Sequence, residues 1–188
     1  MPRYVALLRG INVGGRNMVA MADLRQVASS LEHAEVTTYI QSGNLLFTSD
    51  STDAGSLADV LELAVAERLG VHPVVVVLSA AELAQVIAVN PFMDETNPKY
   101  LHAVFRRDEV DEAGIAVVAA ALQRARAKGS RDDAAVVGRT LFMRTPDGLG
   151  RSELAAELAR SSVQTAGTAR NWVTVTKLMS LLEPGCVP

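Results

Sequence analysis

The segment from Arg9 to Asn17, RGINVGGRN, combines residue types that bind anions. Glycines leave the backbone open to turn and to present its N–H groups, and arginines supply positive charge. We therefore expect this Gly-rich loop to hold a phosphate or a carboxylate. Its candidate ligand-binding residues are Arg9, Gly10, Asn12, Gly14, Gly15 and Arg16. The alternative is structural, with glycines that only permit tight turns and asparagines that bond to their own backbone.

The glycine spacing of this loop resembles the phosphate-binding loop G-x-x-x-x-G of nucleoside triphosphatases. Arg16 and Asn17 stand where that motif has Lys and then Ser or Thr, so no hydroxyl is placed for Mg²⁺. The Rossmann spacing G-x-G-x-x-G is absent. The loop therefore predicts anion binding without predicting triphosphate hydrolysis.

Fold topology brings a second polar segment to this loop. Tyr4–Leu8 reads as a buried strand, and the residues on either side of Gly43 read as a hairpin of two strands. In a β-α-β-β-α-β unit the first two strands run in the same direction, so both end at one edge of the sheet. The turn QSGN, Gln41 to Asn44, should lie beside the Gly-rich loop, where Gln41, Ser42 and Asn44 would contact the polar part of a ligand.

The pattern of strands and helices repeats along the 188 residues. We predict an α+β protein made of duplicated ferredoxin-like (β-α-β-β-α-β) units with antiparallel sheets and an appended C-terminal helix. The predicted boundaries are 1–79 for the first unit, 80–98 for a linking helix and loop, and 99–188 for the second unit and C-terminal helix, packed as one compact protein.

The end of the second unit carries a third polar segment. We expect SVQTAGT to be a short edge strand and residues 171–182 to form the last helix, with Thr168 as its N-cap and Arg170 in its first turn. An arginine at a helix N-terminus opposes the helix dipole, so Arg170 should have a carboxylate or ligand partner. Asn171 and Lys177 would join the site if this helix folds back onto the loop.

Composition limits the class of function. The net charge of −3 and the 4% aromatic content argue against a nucleic-acid surface. Cys186 is the single cysteine, which excludes an intramolecular disulfide and suits a reducing compartment. No signal peptide or membrane-length apolar run is present. We therefore expect a cytoplasmic protein without a membrane or nucleic-acid partner.

The sequence contains no residue pattern that identifies a reaction. His33, His72 and His102 are dispersed, no pair of His or Cys has metal-ligand spacing, and no metal site is expected. Asp132 and Asp133 are interpreted as solvated loop charge. Enzymatic activity is left open, with the catalytic residues and any cofactor unknown.

The strings LLRGINVGGRNMVAMADLR, YIQSGNLLF, GRSEL and TARNWVTVTKL resemble the bacterial domain-of-unknown-function 1697 family across nearly the whole chain. Ala20 and Val173 stand where that family is expected to have Pro and Asn. The resemblance implies a compact duplicated α+β fold and no established activity. The motif residues that it implies for a shared site are Arg9, Gly10, Asn12, Gly14, Gly15, Gln41, Ser42, Gly43, Asn44, Arg170, Asn171, Thr174 and Lys177.

Two hypotheses follow from these observations. In the first, the Gly-rich loop and the Gln41–Asn44 turn bind a small anionic ligand. In the second, the same residues form a structural network in a non-enzymatic interaction or oligomerisation module, where they cross-link either the two halves of the chain or a homodimer.

Overall fold

The computed structural model describes residues 1–183, so Cys186 lies outside the described residues. The chain forms two compact units. The first contains Met1–Gln85 and the segment that begins at Leu178, and the second contains Val86–Lys177.

The first unit is a four-stranded antiparallel sheet in the order β2-β3-β1-β4. Its elements are β1 (Arg3–Arg9), α1 (Met21–Ser29), β2 (Ala34–Tyr39), β3 (Asn44–Thr48), α2 (Ala54–Leu69), β4 (Val74–Ser79) and the start of α3 (Ala80–Ala88). The side chains of the central strand β1 are buried from Tyr4 to Leu8. Both faces of this strand are covered, which explains why its sequence is a continuous apolar run.

Local signals set the helix ends of this unit. The Asp53 carboxylate accepts hydrogen bonds from the N–H groups of Gly55 and Ser56 at the start of α2, and Gly70 ends that helix with a φ of 67°. Ser79 and Glu82 form a capping box at the start of α3, since each side chain accepts from the other residue's N–H group.

The second unit repeats the same sheet order, β6-β7-β5-β8, with antiparallel pairing throughout. Its elements are β5 (Leu101–Arg106), α4 (Glu112–Ala127), β6 (Asp133–Val137), β7 (Thr140–Arg144), α5 (Glu153–Leu158), α6 (Ser162–Thr165), β8 (Gly167–Asn171) and the start of α7 (Trp172–Leu182). The predicted duplication of ferredoxin-like units, with a C-terminal helix, is confirmed by this architecture.

Two predictions near the C-terminus were wrong. The residues SVQT form the short helix α6, and the edge strand β8 begins only at Gly167. Thr168 and Arg170 lie in that strand, so Thr168 is not an N-cap and Arg170 is not in a helical first turn. The Asn171 side chain instead accepts from the Val173 N–H at the start of α7. The pairing of β8 with β5 makes this segment a strand, and local sequence gives no signal of that pairing.

Each unit has its own apolar core. In the first unit α1 and α2 cover the sheet face that carries Ala6, Leu45 and Phe47. In the second unit the cluster joins Val104 and Leu141 of the sheet to Leu154 of α5. Within residues 1–183, none of the helices has both the length and the apolar character needed to cross a bilayer.

Candidate functional site

The Gly-rich loop is a small hairpin, which we call the Asn12–Asn17 hairpin. The Arg16 N–H donates to the Val13 carbonyl (3.1 Å), and the Asn12 N–H donates to the Asn17 carbonyl (3.0 Å). Gly14 and Gly15, at the tip, have φ values of 58° and 73°. Positive φ at both central residues is the mark of a type I′ turn, which explains two adjacent glycines here.

Asn12 attaches this hairpin to the rest of the unit. Its Oδ1 accepts from the Val19 N–H (2.8 Å), and its Nδ2 donates to the carbonyls of Val19 (2.9 Å) and Gln41 (3.0 Å). Asn17 Nδ2 donates to the Gly10 carbonyl (2.7 Å). Asn12 and Asn17 have φ values of 53° and 49°, a left-handed conformation that asparagine tolerates. Both side chains therefore stabilise the loop.

The turn between β2 and β3 lies directly against the exit of β1. The Leu8 N–H donates to the Gly43 carbonyl (2.8 Å), and the Asn12 bond to Gln41 ties the loop to the same turn. The buried Asn44 donates from Nδ2 to the Tyr39 carbonyl (3.0 Å) and to Ser42 Oγ (3.0 Å). The two segments thus share one edge of the sheet, as the topology predicts.

The tip of the hairpin presents unsatisfied donors to solvent. In the described part of the chain, the N–H groups of Gly14 and Gly15 and the Arg16 guanidinium have no hydrogen-bond partner. All three residues are exposed, as are the side chains of Gln41 and Ser42. Arg9 is half-buried and already interacts with other groups of the protein. Arg16 is thus the more available of the two cations.

Arg170 is buried and lies in β8 of the second unit. It has an exposed fraction of 7%, and its Nη1 donates to Thr168 Oγ1 (2.7 Å) and to the Ala169 carbonyl (2.8 Å). Burial lowers the pKa of Arg170 to about 10, so the guanidinium stays charged at neutral pH.

Asn171 has a structural position at the junction of β8 and α7. Its Nδ2 lies 3.0 Å from the Lys99 carbonyl and 3.2 Å from His102 Nε2, while its Oδ1 caps α7. Burial lowers the pKa of His102, and a hydrogen bond with the Tyr100 backbone opposes part of this shift. The lowered pKa favours the neutral imidazole, which can accept a hydrogen bond from Asn171. Side chains alternate along a strand, so Arg170 and Asn171 leave β8 on opposite faces.

Thr174 and Lys177 lie one turn apart on α7, where Thr174 is half-buried and Lys177 is exposed and interacts with other groups. The four C-terminal candidates therefore belong to the second unit, whereas the loop and turn candidates gather in the first.

The buried Asp132 shows that one interpretation of the sequence was wrong. It is 4% exposed rather than solvated, and its Oδ2 accepts from Ser152 Oγ (2.8 Å) and from the Leu154 N–H (3.3 Å). Ser152 Oγ in turn accepts from the Ala155 N–H. Ser152 followed by Glu153 is a signal in the sequence for a helix start. The sequence gives no signal that Ser152 bonds to Asp132, 20 positions away. Among residues 1–183, no three His, Cys, Asp or Glu side chains converge to hold a metal ion.

Comparisons with known proteins find a family and a solved structure similar to this chain. A family described as "Protein of unknown function (DUF1697)" matches residues 1–142, a range that includes the loop and the turn and ends before Arg170. A solved structure of the conserved bacterial protein SP0830 from Streptococcus pneumoniae is 25% identical, with a TM-score of 0.73 over 97% of this chain and 99% of that one. No curated protein matches this chain.

Proposed function

We propose, for a chain that belongs to the DUF1697 family of proteins of unknown function, that the Asn12–Asn17 hairpin binds the phosphate or carboxylate group of a small molecule. The observation that supports this proposal is the exposed set of donors at the hairpin tip, the N–H groups of Gly14 and Gly15 beside the Arg16 guanidinium. Consecutive amides in a turn form a concave anion site, and a guanidinium adds charge-assisted hydrogen bonds.

The surrounding residues divide into ligand contacts and supports. Gln41 and Ser42 are exposed in the adjacent turn, where they would contact the polar part of the ligand. Asn12 ties the hairpin to the turn, the Gly43 carbonyl ties the turn to Leu8 of β1, and Asn44 donates to the Tyr39 carbonyl within the turn region. A hairpin anchored in this way needs little reordering when a ligand binds, which favours affinity.

Arg16→Ala tests the proposal with inorganic phosphate as the probe. Titration of the wild type, followed by amide NMR, should give saturable shifts at Gly14, Gly15 and Arg16. The variant should bind phosphate about tenfold more weakly or worse, because a charge-assisted hydrogen bond contributes about 1.5 to 3 kcal/mol. Its melting temperature should be unchanged, since the Arg16 side chain has no partner among the described residues.

Arg160→Ala is the matched control, because it removes the same charge from an exposed position in the second unit. It should leave phosphate binding intact. Shifts that never saturate in the wild type, or an equal loss in both variants, would contradict a specific site at the hairpin. Arg170→Ala and Lys177→Ala, titrated in the same way, test whether the C-terminal residues contribute to binding.

The structural network is the second candidate, and the bonds of Asn12 favour it. Asn12→Gly keeps a residue that accepts a φ of 53° but deletes three hydrogen bonds to Val19 and Gln41. We expect a loss of about 1 to 2 kcal/mol in the free energy of unfolding and faster exchange of the Val19 amide.

The network alone predicts that Arg16→Ala changes neither stability nor ligand binding, while Asn12→Gly lowers stability. Sedimentation of the wild type over a range of protein concentrations adds the test for a homodimer. A concentration-independent monomer that binds phosphate would reject the interaction module.

A further inference from the structure

Three large apolar side chains are exposed around the hairpin, and we call them the apolar rim: Val13, Met18 and Ile40. Val13 and Met18 are each 68% exposed, and Ile40 is 50% exposed. Isolated apolar side chains are common on protein surfaces. The Asn12 amide joins the segments that carry them, because it donates to the carbonyls of Val19 and Gln41, which directly follow Met18 and Ile40.

Ile40 is the least expected of the three. Its φ is 48°, a left-handed conformation that is disfavoured for a β-branched residue and that Gly or Asn would adopt with less strain. Half of its surface is exposed, so burial within the chain compensates only part of that strain. An apolar side chain held in this conformation at a surface turn is understandable if it contacts something outside the free chain.

We propose that the ligand of the hairpin is an organic anion, a phosphate or carboxylate attached directly to an apolar group that packs on the apolar rim. This inference rests on the proposed function and specifies its ligand class. The cationic and N–H donors of Arg16, Gly14 and Gly15 belong to the same hairpin as Val13, and Met18 directly follows that hairpin in sequence. A bare phosphate would use only the donors, whereas an amphipathic anion would use both kinds of surface.

The test is a series of alkyl phosphates at constant ionic strength: inorganic, methyl, butyl and hexyl phosphate, titrated into the wild type by amide NMR. Each methylene that leaves water should raise affinity by about two- to four-fold. We expect hexyl phosphate to bind more than about tenfold tighter than methyl phosphate, with shifts at Met18 and Ile40 besides those at Gly14 and Gly15.

Ile40→Asn separates the apolar contact from folding. Asparagine accepts the left-handed conformation, so the variant should melt no earlier than the wild type. It should keep its affinity for inorganic phosphate and lose at least half of the gain, on a logarithmic scale, from methyl to hexyl phosphate. Val60→Asn is the matched control, because Val60 is 46% exposed and lies on α2 rather than on the hairpin or the turn. It should retain the full gain.

The outcomes distinguish the two proposals. Saturable phosphate binding with equal affinities along the alkyl series would overturn the organic-anion inference and leave the anion site standing. A chain-length gain that Ile40→Asn leaves intact, or that Val60→Asn removes equally, would also overturn it. Absence of saturable binding by every phosphate in the series would reject the anion site itself.

Discussion

Gly43→Ala is expected to lower the free energy of unfolding by about 2 to 5 kcal/mol. Two effects add at this position. Gly43 has a φ of 75°, which is strained for any residue with a Cβ atom. A Cβ there would also lie 2.9 Å from Leu8 Cβ, 3.0 Å from the Leu8 carbonyl oxygen and 3.0 Å from Ile11 Cδ1.

This clash cannot be relieved by a side-chain rotation alone. The Leu8 backbone is held by the bond from its N–H to the Gly43 carbonyl, and Leu8 belongs to the central strand β1. The turn must therefore move away from β1, which also moves Gln41 away from Asn12. Urea denaturation should show the loss of stability, and phosphate titration of the folded variant should show weaker binding at the hairpin.

Gly14→Ala and Gly15→Ala are the matched controls for Gly43→Ala. Both glycines have positive φ values, yet no atom lies within 4 Å of a Cβ built at either. Each control should show the conformational strain alone, roughly 1 to 2 kcal/mol. Equal destabilisation of all three variants would contradict the close packing of the turn on β1.

Gly167→Ala should destabilise the second unit by about 2 to 4 kcal/mol. Gly167 is not in the left-handed region, so the whole effect comes from contact. Its Cβ would lie 2.6 Å from the Phe105 carbonyl oxygen and 2.8 Å from Val104 Cγ1. Phe105 belongs to β5, and its carbonyl cannot retreat without disturbing the pairing of β5 with β8.

The consequence should reach the start of α7, because β8 carries Asn171, whose side chain accepts from the Val173 N–H. Faster hydrogen exchange of the Val173 amide would report this loss. Gly150→Ala is the control, since no atom lies within 4 Å of its Cβ position and its φ is not left-handed. It should stay within about 0.5 kcal/mol of the wild type. If both variants unfold at the same urea concentration, the close packing of β8 on β5 is wrong.

The structural role of the asparagines shows where residue type alone was ambiguous. Asn12 and Asn17 suit both an anion site and a self-capped turn, and the sequence supported both interpretations. In the structure their amides donate to backbone carbonyls, one of which belongs to Gln41, 29 positions away from Asn12. Such a bond depends on two segments meeting in space, so local sequence could only make it plausible.

The sequence by itself determined the features that depend on near neighbours in the chain. Apolar periodicity placed the strands, and the chain order of strands and helices predicted a shared edge for the loop and the turn. Tertiary structure alone decided that Thr168 and Arg170 lie in a strand and that Asp132 is buried. Those outcomes depend on pairing with β5 and on contact with Ser152, and the free energy of such long-range contacts overrides local propensity.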